Sequence, residues 1–223
     1  MKTMIAIPCM DMIHVGFAKS LLEMEKPEGT SVSFRQNSLV YDSRNLLTIT
    51  ARENHFDRVL WLDSDMLFKP DIMRRMEEVM DKENCDLVTG LYFKRTLPTS
   101  PVLFRQIEEP CRDEQGRMVG RIEDYTDYPE NSVFKIAGCG LGCALMTVDL
   151  LMKVWDSFGP PFAPYPWAGE DISFCYRAGM LGAKMMCDSR IKAGHIGMIQ
   201  FTEAMYERRT QDGRRGAEPE GDS

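Results

Sequence analysis

Long apolar runs, basic residues, histidines and paired cysteines are all scarce in this chain of 223 residues, and each scarcity removes a class of protein. No stretch of about 18 apolar residues occurs, so no segment reads as a membrane span. The opening Met1 to Pro8 is too short, and too soon broken by proline, to be expected as a signal peptide. Basic residues are outnumbered: 27 Lys and Arg face 34 Asp and Glu, a formal net charge of −7. A nucleic-acid binder usually carries a basic patch or stripe, so no nucleic-acid partner is expected. The seven cysteines are an odd number and form no CxxC or zinc-finger spacing. They read as reduced, buried thiols of a cytoplasmic protein.

What is present is ordinary for a soluble globular enzyme: 43% hydrophobic and 27% charged residues. A chain of this length buries about 70% of its unfolded surface, enough to hold a core without disulfides. The seventeen methionines are core fillers and carry no functional reading.

The first 90 residues alternate between short apolar runs and helical patterns. Met4 to Ile7 reads as a buried strand ended by Pro8. Ile13, Phe17 and Leu21, with Met24 beyond, mark one face of a helix that stops before Pro27. Val32 and Phe34 alternate as a second strand should, and Ser43 is placed to cap a helix carrying Leu46, Leu47 and Thr50. Val59 to Leu62 is a continuous apolar run, the kind found in a parallel strand covered on both faces. Pro70 precedes a helix with Ile72, Met73, Met76 and Met80, and Leu87 to Tyr92 is the next strand. This order argues a doubly wound α/β sheet.

The second half is less regular. Pro101 to Arg105 and Ser132 to Ala137 read as strands flanking a polar stretch that turns at Gly116. Cys139 to Cys143 is a glycine-rich bend entering an apolar strand through Met146. Asp149 is placed to cap a helix ending near Phe158, and a proline-aromatic loop runs from Gly159 to Ala168. A helix from about Asp171 to Met180 follows, then strands near 184–187 and 191–193. From Glu207 no large apolar side chain remains, so the tail 207–223 is expected to be disordered.

The most informative segment ends the third strand with Asp63-Ser64-Asp65. On an extended chain, side chains two apart point the same way. At the carboxyl end of a strand in an open α/β sheet, such a pair sits where ligands bind. Adjacent carboxylates repel unless a cation or proton lies between them, and hard oxygen ligands suit Mg²⁺ or Mn²⁺ with nucleotide phosphates. A polar turn after a strand explains the same three residues without any metal. Glu170 and Asp171 open a helix, where a carboxylate is either a cap or a reactive group stabilised by the dipole. Of the three histidines, only His195, between Gly194 and Gly197, has a strand-end setting suited to a metal.

Together these segments resemble the nucleotide-diphosphosugar glycosyltransferases of the GT-A fold, especially the family-2-like group. The resemblance runs from Met4 to about Gly197. It rests on a first strand ending Ile7-Pro8, on Arg44-Asn45, on Asp63-Ser64-Asp65, on the glycine-rich segment 138–143, on Gly169-Glu170-Asp171 and on Gly194-His195, in that order. It implies a mostly parallel central sheet with helices on both faces, in a single domain over 1–206. The donor half would be about 1–95 and the acceptor half about 96–206.

The implied activity is transfer of a sugar from a UDP- or GDP-sugar to an acceptor hydroxyl, with Mn²⁺ or Mg²⁺. Asp65 and His195 would ligate the metal, and Asp63 would meet the donor ribose or the metal. Pro8, Asp11 and Arg44 would hold the nucleotide. Asp171 would be the general base, with Glu170 the nearest competitor. Tyr165 and Trp167, with Pro160 and Phe162, would form an acceptor platform, or else a stiff connector packed on the domain. The first strand departs from the family's pattern: it continues Cys9-Met10-Asp11 where the family often has Tyr-Asn. Two rival readings are a DxD phosphohydrolase of the haloacid-dehalogenase type and a non-catalytic nucleotide- or glycan-binding module.

Overall fold

A computed structural model describes residues 1–197, so the expected disordered tail lies outside the described residues. The first 95 residues contain β1 (Thr3–Pro8), α1 (Val15–Glu23), β2 (Ser31–Arg35), α2 (Val40–Glu53), β3 (Arg58–Leu62), β4 (Met66–Leu67), α3 (Ile72–Glu83) and β5 (Leu87–Leu91). The rest contains β6 (Leu103–Arg112), β7 (Met118–Asp124), β8 (Val133–Lys135), β9 (Gly138–Cys139), β10 (Cys143–Thr147), α4 (Val148–Phe158), α5 (Glu170–Met180), β11 (Met185–Lys192) and β12 (Gly194–His195).

Seven strands form the central sheet in the order β2-β1-β3-β10-β5-β11-β8. All but β10 and β8 run in one direction, so the sheet is mostly parallel. The period of two along each strand assigns side chains to opposite faces. On β1 and β3, Met4, Ala6, Val59 and Trp61 enter one core cluster, while Ile5, Ile7, Leu60 and Leu62 enter the other. The first cluster is covered by α2, α4 and α5 through residues such as Leu47, Leu151 and Phe174. The second is covered by α1 and α3 through Phe17, Met24, Met73 and Met76. This is the expected arrangement of helices on both faces.

Several local expectations are corrected. The helix expected to start at Ser43 starts at Val40, and the Ser43 hydroxyl instead hydrogen-bonds Ser38 at 2.6 Å. Helix α4 is capped by Thr147, whose hydroxyl accepts from the Leu150 amide at 3.2 Å, while Asp149 pairs with Lys153 on the surface. The strands expected near 184–187 and 191–193 are the single strand β11, with a register shift between Asp188 and Lys192. The polar stretch around Gly116 is a true hairpin of β6 and β7, turning where Gly116 has φ +76°.

Two small sheets carry the site. β9 joins β6 and β7, and β12 pairs with β4 so that His195 lies opposite Met66. Among the described residues, no helix is long and apolar enough to cross a membrane.

Candidate functional site

β1 and β3 lie side by side, and their carboxyl ends open a cavity of about 300 Å³ lined by Pro8, Cys9, Met10, Ser43, Asp63 and Asp65. A second cavity of about 340 Å³ is lined by Tyr92, Glu170, Asp171, His195 and the glycine bend 140–142. Asp63 and Arg95 line both, so the two cavities adjoin.

The chain leaves β3 at Leu62 and turns: the Met66 amide donates to the Asp63 carbonyl at 3.1 Å. The expected extended presentation of two parallel carboxylates therefore does not occur. Each acid has its own cation. Asp63 Oδ1 accepts from Arg44 at 2.7 Å, and Asp65 Oδ2 accepts from Arg95 at 2.5 Å.

Pairing of β12 with β4 brings His195 back beside this turn, and the Ile196 amide donates to the Asp65 carbonyl at 2.9 Å. His195 Nε2 stands 3.6 Å from Asp65 Oδ2, across 195 − 65 = 130 residues of sequence. Its Nδ1 is 2.9 Å from the Phe93 carbonyl, which only an N–H can satisfy, so Nε2 is the nitrogen turned to Asp65. Burial pushes the Asp65 carboxyl up, but His195 and Arg95 outweigh it and hold it below its ordinary value. The hydrogen bond to Asp65 raises the imidazole in turn. Asp65 Oδ1 is buried with no hydrogen-bond partner among the described residues. An unpartnered carboxylate oxygen beside an imidazole nitrogen fits a divalent cation of the Mn²⁺ or Mg²⁺ type. No group of three or more His, Cys, Asp or Glu side chains converges among the described residues, so Asp65 and His195 are the pair that could hold a cation here.

Arg44, expected to hold the nucleotide, lines the second cavity and is only 2% exposed. Its guanidinium contacts Asp63, reaches Glu170 at 3.6 Å and the Leu141 carbonyl at 3.4 Å, and lies over the Trp61 ring. It thus ties together the segments after β3, around the glycine bend and at the start of α5. Glu170 meets Arg44 as an ion pair at 3.6 Å, beyond hydrogen-bond distance. For Asp171, burial, and then the Glu170 charge, raise the pKa above the ordinary carboxylate value. Its Oδ1 accepts from the Ile172 amide at 2.7 Å.

Asp11 is exposed in the segment after β1, and Cys9 and Met10, not Asp11, line that end of the cavity. The aromatic loop divides. Phe162 is fully buried, stacked on Phe174 and edge-on to Trp61, so it belongs to the core and to no platform. Tyr165 and Trp167 stack on each other at 5.3 Å, with Tyr176 edge-on to both. They line neither cavity.

Sequence reasoning missed Tyr92 and Arg95. Tyr92 is buried under the glycine bend, and its hydroxyl accepts from the Gly142 amide at 3.1 Å. Both follow β5, and the rule that strand carboxyl ends face the ligand applies to Arg95 as it does to Asp65. The bend explains its own glycines. A Cβ at Gly140 would collide with the Tyr92 hydroxyl and lie 2.6 Å from Val102. Gly140→Ala is expected to lower the melting temperature by at least about 2 °C, since overpacking costs roughly 1–3 kcal/mol and each kcal/mol shifts a domain of this size about 2–4 °C. Thermal unfolding of the variant checks this.

No family model matches the chain, and no curated protein matches it either. Solved structures do. A197 from STIV superposes with a TM-score of 0.64 at 20% identity, covering 89% of this chain and 87% of that one. GalNAc-T7, solved with UDP, GalNAc and Mn²⁺, superposes with a TM-score of 0.60 at 11% identity. That match covers 89% of this chain but only 44% of GalNAc-T7. At such identities the likeness speaks for the fold: the chain has a GT-A-like glycosyltransferase fold.

Proposed function

We propose that this protein is a metal-dependent glycosyltransferase that moves a sugar from a UDP- or GDP-sugar to an acceptor hydroxyl, with inversion. The observation that carries the reading is the meeting of Asp65 and His195 on the wall between two adjoining cavities, with Asp171 in one of them. The solved GalNAc-T7 supports the donor class, since a protein of this fold holds UDP, GalNAc and Mn²⁺.

The nucleoside diphosphate lies in the first cavity, against Pro8 and Ser43. Asp65 and His195 would hold Mn²⁺ or Mg²⁺, and the chemistry such a cation would supply there is neutralisation of phosphate charge without a proton. Asp63, held by Arg44, faces the junction and meets the donor ribose or the metal. The acceptor enters the second cavity with its hydroxyl at Asp171. As the acceptor oxygen bonds to the anomeric carbon, the bond from that carbon to the diphosphate oxygen breaks and its electron pair leaves with the diphosphate. The hydroxyl proton passes to Asp171. Asp171 and the proposed diphosphate position lie in different cavities, and separate placing of base and leaving group is what inversion needs. The seven thiols, none in a disulfide, suit a cytoplasmic setting.

Incubating the purified chain with UDP- and GDP-sugars, Mn²⁺ and a panel of acceptors tests the reading. Nucleoside diphosphate release with a glycosylated product is expected. Hydrolysis of a phosphomonoester would instead favour a phosphohydrolase, although an Asp63 already engaged by buried Arg44 makes a poor nucleophile. Binding without turnover would favour a non-catalytic module.

A further inference from the structure

Arg95, like Asp63, lines both cavities, and it also contacts Asp65 of the proposed metal-binding pair. Its guanidinium is 2.5 Å from Asp65 Oδ2 and 3.5 Å from the Ile196 carbonyl. The side chain is half exposed, and its stem lies against Gly197, where a Cβ would stand 3.4 Å from its Cβ, Cγ and Cδ. The neighbouring Lys94 is differently placed, paired with Asp124 at 2.6 Å.

With no cation bound, an opposite charge nearby stabilises the ionised carboxylate, and Arg95 supplies one to Asp65 beside His195. An ion pair this exposed is weak, so a divalent cation can displace it. The displaced guanidinium keeps its position at the junction of the cavities. Its planar fork matches phosphate oxygens as well as it matches carboxylate. We propose that Arg95 is an exchange residue: it holds Asp65 while the site is empty, yields it to the cation, and then binds the donor's diphosphate. This rests on the metal-dependent reading above and adds a phosphate ligand to it.

The exchange predicts effects of opposite sign from one substitution. Arg95→Met keeps the stem on Gly197 and removes the charge. In the full chain without nucleotide, Mn²⁺ binding followed by the loss of free-ion paramagnetic resonance signal is expected to tighten at least about threefold. With saturating Mn²⁺, calorimetric binding of UDP or GDP is expected to weaken about tenfold. Arg95→Lys keeps the charge without the fork, and its nucleoside diphosphate affinity is expected to fall between the two. A purely structural role for Arg95 would weaken both affinities. The proposal is overturned if Arg95→Met binds Mn²⁺ no more tightly than the wild type, or if it retains wild-type nucleoside diphosphate affinity. Mn²⁺ binding that Asp65→Asn does not reduce, in either the wild-type or the Arg95→Met background, would overturn the metal assignment itself, and the exchange with it.

Discussion

Asp65→Asn is expected to weaken Mn²⁺-dependent binding of a nucleoside diphosphate by at least about a hundredfold, close to 2.8 kcal/mol. Asn keeps the shape of the side chain and loses the charge that a hard cation requires. The fold should survive, because the β4–β12 pairing uses the Asp65 backbone: its carbonyl accepts from Ile196 whatever the side chain does. His195→Ala removes the nitrogen 3.6 Å away and is expected to weaken the same binding about tenfold or more. Calorimetric titration with UDP and GDP, with Mn²⁺ and with a chelator, makes the measurement. The ligand assignment fails for His195 if His195→Ala keeps wild-type metal dependence at every Mn²⁺ concentration. It fails for Asp65 if the chelator, and not the substitution, abolishes binding.

The order of elements was readable because period and punctuation do the work locally. Val59 to Leu62, apolar at every position, must be covered on both faces, and β3 is. Its position beside β10 was not readable. Cys143 to Met146 is as uniformly apolar as a parallel strand, and nothing local states that it enters antiparallel between β3 and β5. The hairpin of β6 and β7 escaped for the converse reason. Much of both strands faces solvent, so polar residues on either side blur the alternation.

At the site, residue types were more readable than partners. Asp63 and Asp65 were found together, yet a turn between them sends one to Arg44 and the other to Arg95. Arg44 was found through the resemblance, but only tertiary packing buries a guanidinium among Trp61, Asp63 and Glu170. His195 reaches Asp65 through strands of two residues each, too short for any periodicity to show. In the aromatic loop, Phe162 and Tyr165 look alike in sequence. The buried one is apolar throughout, whereas Tyr165 has a hydroxyl to keep in contact with polar groups.

Asp171→Asn is expected to reduce sugar transfer by at least about a hundredfold while donor Kd stays within about a factor of three. A positioned base contributes about 10²–10⁴-fold, and it acts on the acceptor's proton, not on the nucleotide. Glu170 beside it forms an ion pair with Arg44 at 3.6 Å, so the two carboxylates are expected to respond differently to neutralisation. Burial and the Glu170 charge raise the Asp171 pKa, so the acid limb of kcat against pH should lie above the ordinary carboxylate value of about 3.9. Below that limb Asp171 is protonated and cannot accept a proton, so turnover falls as pH falls. The same shift fixes the effect on stability. A carboxyl whose folded pKa is raised stabilises the fold below its unfolded pKa, and that contribution is lost as pH rises through the folded one. At neutral pH the buried charge is therefore a cost. Asn removes it and keeps an oxygen for the Ile172 amide, so the melting temperature should be unchanged or higher. Glu170→Gln, measured in parallel, should act differently, by releasing Arg44 from one of its acids. A near wild-type rate for Asp171→Asn would overturn its role as base, and a hundredfold loss confined to Glu170→Gln would move that role to Glu170.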